Sequence, residues 1–417
     1  MKILQLSNKF PYPLKDGAAI AITYLAKAYA DLGHEVALLS MNTSKHWFDL
    51  KQLPPHFDHY AAIETVFIDN HIRPWAAFRN LIASDSSYHV ERFDHPEFAQ
   101  RLTDRLQQTS YDVVQLESLY LTPYIPVIRQ HSTAKIVLRA HNVEHEIWER
   151  VAANTTRFFH RWYLNRITPR LKAYEIAHLN DYDLVAAITA RDAAHLRRLG
   201  LSQPVVVTPI GLDCRDYTPD LNTFHQPLSL SFIGSLDWMP NQEGLRWFLD
   251  KVWMQVLLPQ FPELTFHIAG RTAPAWIRAL RLPGVHFHGE VESASEFINR
   301  HPVMVVPLLS GGGMRAKILE GMALGKVVLS THIGMEGIEA HHERECLLAD
   351  TPEDFANSIR WCLNQGPELA VIGQNAAAFC AAHYDNLRVA ERLADQFRKL
   401  INEKLHSEGN RIVQSGK

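Results

Sequence analysis

The sequence predicts an α/β protein built as two doubly wound parallel-sheet domains. Short apolar runs of strand length alternate with helix-length stretches, and that alternation stops and begins afresh near residue 210. The chain has 417 residues, 47% of them hydrophobic and 10% aromatic, which is enough apolar material for two cores and excludes a disordered or fibrous chain. Forty-two basic against 45 acidic residues leave a formal charge of −3, so the overall balance gives no duplex-coating nucleic-acid binder. An anion site has to be local.

Residues 3–7 read as a buried strand, followed by a loop with Pro11, Pro13 and Gly17. Ile22, Leu25, Tyr29 and Leu32 then recur at helical spacing until Gly33 stops the helix, and residues 36–40 form the next strand. This is one βαβ unit, the building block of a parallel sheet. Strands at 113–116, 136–140 and 184–188 continue the pattern. After a loop rich in Pro, Asp and Asn (209–227), the second series runs through a strand at 228–233, a helix near 241–258, and strands at 264–269, 285–288, 303–308 and 327–330. The expected domains are 1–208 and 209–386, then a helical stretch at 387–405 and a polar, frayed tail over 407–417.

Cys214, Cys346, Cys362 and Cys380 show no Cys-x-x-Cys spacing, which argues against a disulfide framework or a structural zinc site. The apolar run at Met1 breaks too early for a signal peptide, and no apolar stretch approaches membrane-spanning length. A soluble cytoplasmic protein is expected.

In open α/β sheets ligands sit beyond the carboxyl ends of the strands, so the loops there are where chemistry is sought. Residues 307–325 are the most informative: a strand runs into Gly311, Gly312 and Gly313 and then into a helix whose first turns carry Arg315, Lys317 and Glu320. Glycines let backbone amides approach a ligand, a helix N-terminus favours negative charge, and two cations make it a diphosphate site. A carboxylate deeper in the helix can accept hydrogen bonds from ribose hydroxyls. The plain alternative is a turn followed by a solvated, ion-paired helix face. No Gly-Lys-Ser/Thr follows the glycines, and no Gly-x-Gly-x-x-Gly lies near the first strand, which weakens kinase-like and dehydrogenase readings.

This segment, with Thr331-His332-Ile333-Gly334-Met335-Glu336-Gly337-Ile338 after it, resembles the donor-binding region of family 4 glycosyltransferases of GT-B architecture. Pro11-Tyr12-Pro13-Leu14-Lys15-Asp16-Gly17-Ala18 resembles that family's Pro-x-Pro-x-x-Gly-Gly loop. Arg139-Ala140-His141-Asn142-Val143-Glu144 and Phe232-Ile233-Gly234-Ser235-Leu236-Asp237-Trp238-Met239-Pro240-Asn241 are similar to its mid-chain His-Asn segment and to the loop opening its second domain. Two departures stand out: the first glutamate of the family's Glu-x7-Glu pair is Gly312 here, and an Arg and a Lys common in the second-domain loop are Ser235 and Asn241.

The resemblance implies two Rossmann-like domains facing across a cleft, the 387–405 helix crossing back to the first, and sugar transfer from a nucleotide-sugar donor with retention. His141, which follows the 136–140 strand, would lie beside the reacting sugar, with Arg315 and Lys317 on the leaving diphosphate and Glu320 on the ribose. Gly17, Gly234, Ser235, Asn241, Gly311, Gly312, Gly313 and Met314 complete the expected donor site. No metal and no further cofactor are expected, and the acceptor is a glycan, lipid-linked or small-molecule hydroxyl. A sugar-nucleotide epimerase and a non-catalytic nucleotide-sugar binding protein remain the rival readings.

Three weaker features complete the sequence. Glu117, after the 113–116 strand, is either a cleft carboxylate or a capping or ion-pairing group. Asp181-Tyr182-Asp183 imitates a metal-binding Asp-x-Asp but precedes a strand, at the end away from the expected ligand. Residues 147–172 mix Trp148, Phe158, Phe159, Trp162 and Tyr163 with Arg150, Arg157, Arg161, Arg166, Arg170 and Lys172. Such a mix either lies on an anionic membrane or packs its aromatics inside the domain. Acceptor loops, expected near 70–93, carry no readable code.

Overall fold

The computed structural model describes residues 1–14, 17–55, 57–70, 87–155, 158–311 and 313–415. The chain divides into two units, Met1–Gly211 with Asn386–Lys417, and Leu212–Asp385.

The first unit holds β1 (Lys2–Ser7), α1 (Gly17–Asp31), β2 (Glu35–Thr43), β3 (Ala62–Ile68), β4 (Val113–Leu116), β5 (Lys135–Ala140), α2 (Glu144–Asn154), α3 (Phe158–Ala177), β6 (Leu184–Ala187) and β7 (Val205–Val207). Its seven strands are parallel in the order β3-β2-β1-β4-β5-β6-β7. Strands covered by helices on both faces read as continuous apolar runs, which is why β4 and β6 are buried at every position. The chain steps outward from β1 to β3 and returns to β4 on the other side of β1, so the sheet reverses direction between β1 and β4. Such a reversal opens a crevice at the carboxyl ends of these two strands.

The second unit holds β8 (Ser229–Ile233), α4 (Met239–Trp247), β9 (Thr265–Ala269), β10 (Val285–Gly289), β11 (Val303–Val306), α5 (Ala316–Ala323), β12 (Val327–Ser330) and β13 (Leu347–Leu348). The order β10-β9-β8-β11-β12-β13, again all parallel, places the reversal between β8 and β11. Its core packs Phe248, Phe266 and Phe355 around the fully buried Trp253, whose indole N–H donates to Pro283 O at 3.0 Å.

The final helix, α6 (Asn386–Ser415), belongs to the first unit. Val389, Leu393 and Phe397 recur every fourth residue on one face and pack with Leu25, Ala26 and Tyr29 of α1; the Tyr29 and Phe397 rings lie 6.0 Å apart. Several sequence expectations are corrected. The division at Gly211 lies within three residues of the expected 208/209 boundary, and α6 extends past residue 405 to Ser415. The strand at 303–308 ends at Val306, since Pro307 has no N–H for the ladder. The helix at 241–258 opens earlier, as α4, and continues in π geometry over Phe248–Leu257. Among the described residues no helix is long and apolar enough to cross a membrane.

Candidate active site

The carboxyl edge of β8, β9 and β11 brings the second unit's predicted residues together. After β11 the chain turns through Gly311 and Gly313 with φ of 108° and 79°, the left-handed region that L side chains avoid. A Cβ at Gly311 would also stand 3.1 Å from an Arg315 Nη2 and 3.3 Å from the Trp238 ring, so this turn admits only glycine. Arg315 then holds the extended conformation at the N-cap of α5, where no side chain caps the helix and no acid sits in its first turn. The first amides and the positive end of the helix dipole are left for an anion.

Lys317 lies one residue inside that helix. Its ammonium donates to Asn241 Oδ1 at 2.8 Å and sits 4.3 Å from the centre of the Phe232 ring. Asn241 in turn donates to Ser235 O at 2.8 Å, so the amide at 241, which cannot supply charge, aims the lysine instead. Gly234 is required by the same arrangement: a Cβ there would stand 3.0 Å from Asn241 Nδ2 and 3.4 Å from Lys317 Nζ. Burial, reinforced by Arg315, brings the Lys317 pKa down to about 7, against the opposing pull of Glu320. Arg315 donates to Gly313 O, and its guanidinium lies 5.6 Å from the Trp238 ring centre. Glu320 accepts from the Tyr217 hydroxyl at 3.5 Å; burial raises its pKa, while Tyr217 and Lys317 pull it back.

Sequence reasoning passed over three of these neighbours. Arg271, in the loop after β9, donates from Nε to Ser235 Oγ at 3.2 Å, so a cation stands beside the position where the family's arginine is missing. Trp238 and Tyr217 were not singled out because their partners lie far along the chain. Met314 is buried, and Gly312 lies outside the described residues.

Gly17 and His141 belong to the first unit. Gly17 is the exposed first residue of α1, and residues 15–16 before it lie outside the described residues. His141 follows β5 and bonds through Nε2 to Glu117 Oε2 at 2.9 Å. Glu117 is the hub of a buried polar network at the carboxyl end of β4. Its Oε1 accepts from Gln5 at 2.9 Å and Gln115 at 2.5 Å, register partners on β1 and β4, whose own carbonyls accept from Tyr60 and Tyr29. Arg139 Nη1 stands 3.7 Å from Glu117 Oε2 and donates to Ala21 O at 2.8 Å. Burial alone would raise the Glu117 pKa; the hydrogen bond from His141 and the charge of Arg139 outweigh it, and the net shift is downward. The His141 pKa is lowered, chiefly by burial and then by Arg139, against the pull of Glu117. A neutral imidazole facing a carboxylate carries its proton on Nε2, which leaves Nδ1 as an acceptor.

The segment after His141 is fixed by an acid that sequence reasoning did not single out. Glu175 of α3 accepts from the backbone N–H groups of Glu144 and His145 at 3.0 and 3.2 Å, capping α2, and from His145 Nδ1 at 2.6 Å. Burial pushes the Glu144 pKa up to about 7, even though its carboxylate accepts from Tyr120 at 2.8 Å.

In the Asp181-Tyr182-Asp183 run, each carboxylate is already engaged. Asp181 bonds His178 at 2.6 Å, Asp183 pairs with Arg129 at 2.9 Å and accepts from the Ile136 amide, and the Tyr182 hydroxyl bonds Thr122 at 2.6 Å. Most of the 70–93 loop, residues 71–86, lies outside the described residues.

Residues 15–216 match the family model described as Glycosyltransferase Family 4, and residues 227–365 match that described as Glycosyl transferases group 1. An uncharacterised 44.6 kDa protein in the cps region of Klebsiella pneumoniae is 23% identical over 406 residues, 93% of this chain and 97% of that protein. Sucrose-phosphate synthase from Thermosynechococcus elongatus matches with a TM-score of 0.67 at 17% identity, over 97% of this chain and 100% of its own. Anabaena HepE in complex with UDP-glucose matches with a TM-score of 0.62 at 16% identity, over 96% and 100%. The fold is that of the GT-B glycosyltransferases.

Proposed function

Because this chain belongs to glycosyltransferase family 4 and has the GT-B fold, we propose that it moves a sugar from a nucleoside-diphosphate sugar to a hydroxyl of a glycan, lipid-linked or small-molecule acceptor. The main support is the second unit's anion cradle, in which Lys317, Arg315 and the uncapped start of α5 converge beyond the glycine turn. The complexes of HepE with UDP and UDP-glucose make a uridine nucleotide the first donor to try.

In the reaction the bond between the anomeric carbon and the diphosphate oxygen breaks, and the acceptor oxygen bonds to that carbon. The acceptor proton leaves with the diphosphate, on the same face of the sugar, so the anomeric configuration is retained. Negative charge grows on the bridging oxygen as the sugar approaches an oxocarbenium ion. Arg315, Lys317 and the α5 amides stabilise that charge, with Arg271 adding a third cation from the β9 loop. Glu320 accepts from the ribose hydroxyls. His141, held by Glu117, offers Nδ1 to a sugar hydroxyl and acts as a positioning acceptor rather than as the base. With fixed cations in this role, transfer needs no divalent metal.

The test incubates the full chain with a panel of nucleotide sugars, EDTA, and a mixture of monosaccharide and octyl-glycoside acceptors. Nucleoside diphosphate release that rises with acceptor, giving a product with the donor's anomeric configuration, is expected. An epimerised nucleotide sugar formed without acceptor, or saturable binding with no turnover in the presence or absence of added Mg²⁺, would contradict it.

A further inference from the structure

Sugar transfer does not account for the exposed aromatics on the outward face of α3. Phe158, Phe159 and Trp162 are 67%, 82% and 50% exposed. At 100° per residue, Phe158, Trp162, Arg166, Pro169, Ala173 and Ile176 fall within an arc of about 80°, and each of them is exposed. Leu164, Ile167 and Leu171 occupy the opposite side and are buried. The ridge therefore runs the length of a 20-residue helix, about 30 Å. Burying a large apolar side chain is worth about 1.5–3 kcal/mol, and three adjacent aromatics forgo it.

The charges on this face have one sign. Arg161 and Arg166 are exposed, and among the described residues no carboxylate pairs with either. The acid of α3, Glu175, is buried on the other side, where it caps α2. Glu149 of α2 is engaged by Lys172, and Glu146 by Arg150 and Arg191. Arg157 lies outside the described residues.

An aromatic ridge bearing unpaired arginines, on a helix too polar to span a bilayer, fits one surface chemistry: apolar acyl chains beneath a layer of negative charge. Trp162 suits the boundary, since indole has an apolar body and a polar N–H. A second copy of the same face would set arginine against arginine. We propose that the outward face of α3 docks this protein on an anionic lipid surface, lying along it with the aromatics inserted and Arg161 and Arg166 at the headgroups. The proposal goes beyond sugar transfer and stands or falls independently of it.

The test is flotation of the full chain with vesicles of phosphatidylcholine alone, or of equal parts phosphatidylcholine and phosphatidylglycerol, at low and high salt. Flotation with the anionic vesicles, reduced by salt and weak with the neutral ones, is expected. The Arg161→Gln/Arg166→Gln variant should lose about thirtyfold in vesicle affinity, at roughly fivefold per cation. The Phe159→Ala/Trp162→Ala variant should fall to background. All these side chains are exposed, so thermal melts should match the parent and keep the result readable. Absence from the anionic vesicle fraction would overturn the proposal, as would equal flotation by both variants. So would a dimer in gel filtration that Phe159→Ala/Trp162→Ala dissolves, which would make this face a self-association surface.

Discussion

Lys317→Ala is expected to lower kcat/KM for the nucleotide sugar by about 10²–10³-fold, the range seen when one preorganised donor is taken from developing negative charge. The ammonium is fixed between Asn241 Oδ1 and the face of Phe232, so no reorganisation is needed when the charge develops. Lys317→Arg should not restore the rate, because a planar guanidinium cannot take the place of a compact ammonium over that ring. A pH signature accompanies the loss. Burial and Arg315 bring Lys317 down to about 7, and a bound diphosphate favours the charged lysine and raises its pKa. Above about pH 7 binding must then take up a proton, and affinity for nucleoside diphosphate falls by up to tenfold per pH unit. Below pH 7 this group adds no slope. Calorimetric titration across pH 6–9 should show the slope in the parent and its disappearance in Lys317→Ala, with steady-state kinetics checking the rate.

Glu117→Ala is expected to cost about 3–5 kcal/mol of stability, the range for removing one partner of a buried charge pair. The loss strands several groups at once: Arg139, which is 1% exposed, the two register-paired glutamines, and His141 Nε2. The folded-state pKa of Glu117 is depressed, so its contribution is present above the unfolded carboxylate pKa of about 4.3 and is lost as pH falls through the folded value. Urea unfolding followed by circular dichroism should show the shift, largest near neutral pH. Glu117→Gln keeps the shape but not the charge. It should lie between parent and alanine in stability, and it should lower turnover more than donor affinity, because His141 loses the carboxylate that fixes its tautomer.

Most of the strands that were legible in the sequence are buried on both faces; β10, read at 285–288, is the exception, with no fully buried position. β4, β8, β11 and β12 are short apolar runs bounded by loops, and their pattern leaves one reading. β3 is only half-buried along AIETVFI, β7 has three residues and β13 two, so none offers enough period to read. The glycine turn and its cations were legible because they are contiguous. Their supports were not: Lys317 meets Asn241 across 76 residues, and Arg271 reaches Ser235 across 36. Local spacing carries no trace of contacts made when distant strands are paired. Asn241 shows the consequence, since a residue that looked like a lost charge is the one that orients the charge retained. Glu117 was visible as a carboxylate after a strand, but its four partners come from β1, β4, β5 and the loop beyond β5. The aromatic and basic stretch 147–172 fitted either an inward or an outward face, and the fold divides it: Trp148 and Tyr163 pack with Ala152, Leu164 and Ile167, while Phe158, Phe159 and Trp162 are exposed.

The most direct measurement is the structure of crystals soaked in uridine diphosphate. Density for the diphosphate should lie against the start of α5, with phosphate oxygens within hydrogen-bonding distance of Lys317 Nζ and the Arg315 guanidinium, and the ribose hydroxyls should point at Glu320. Nucleotide ordered elsewhere on the chain, with ordinary water left between Lys317 and the glycine turn, would contradict the account at its root.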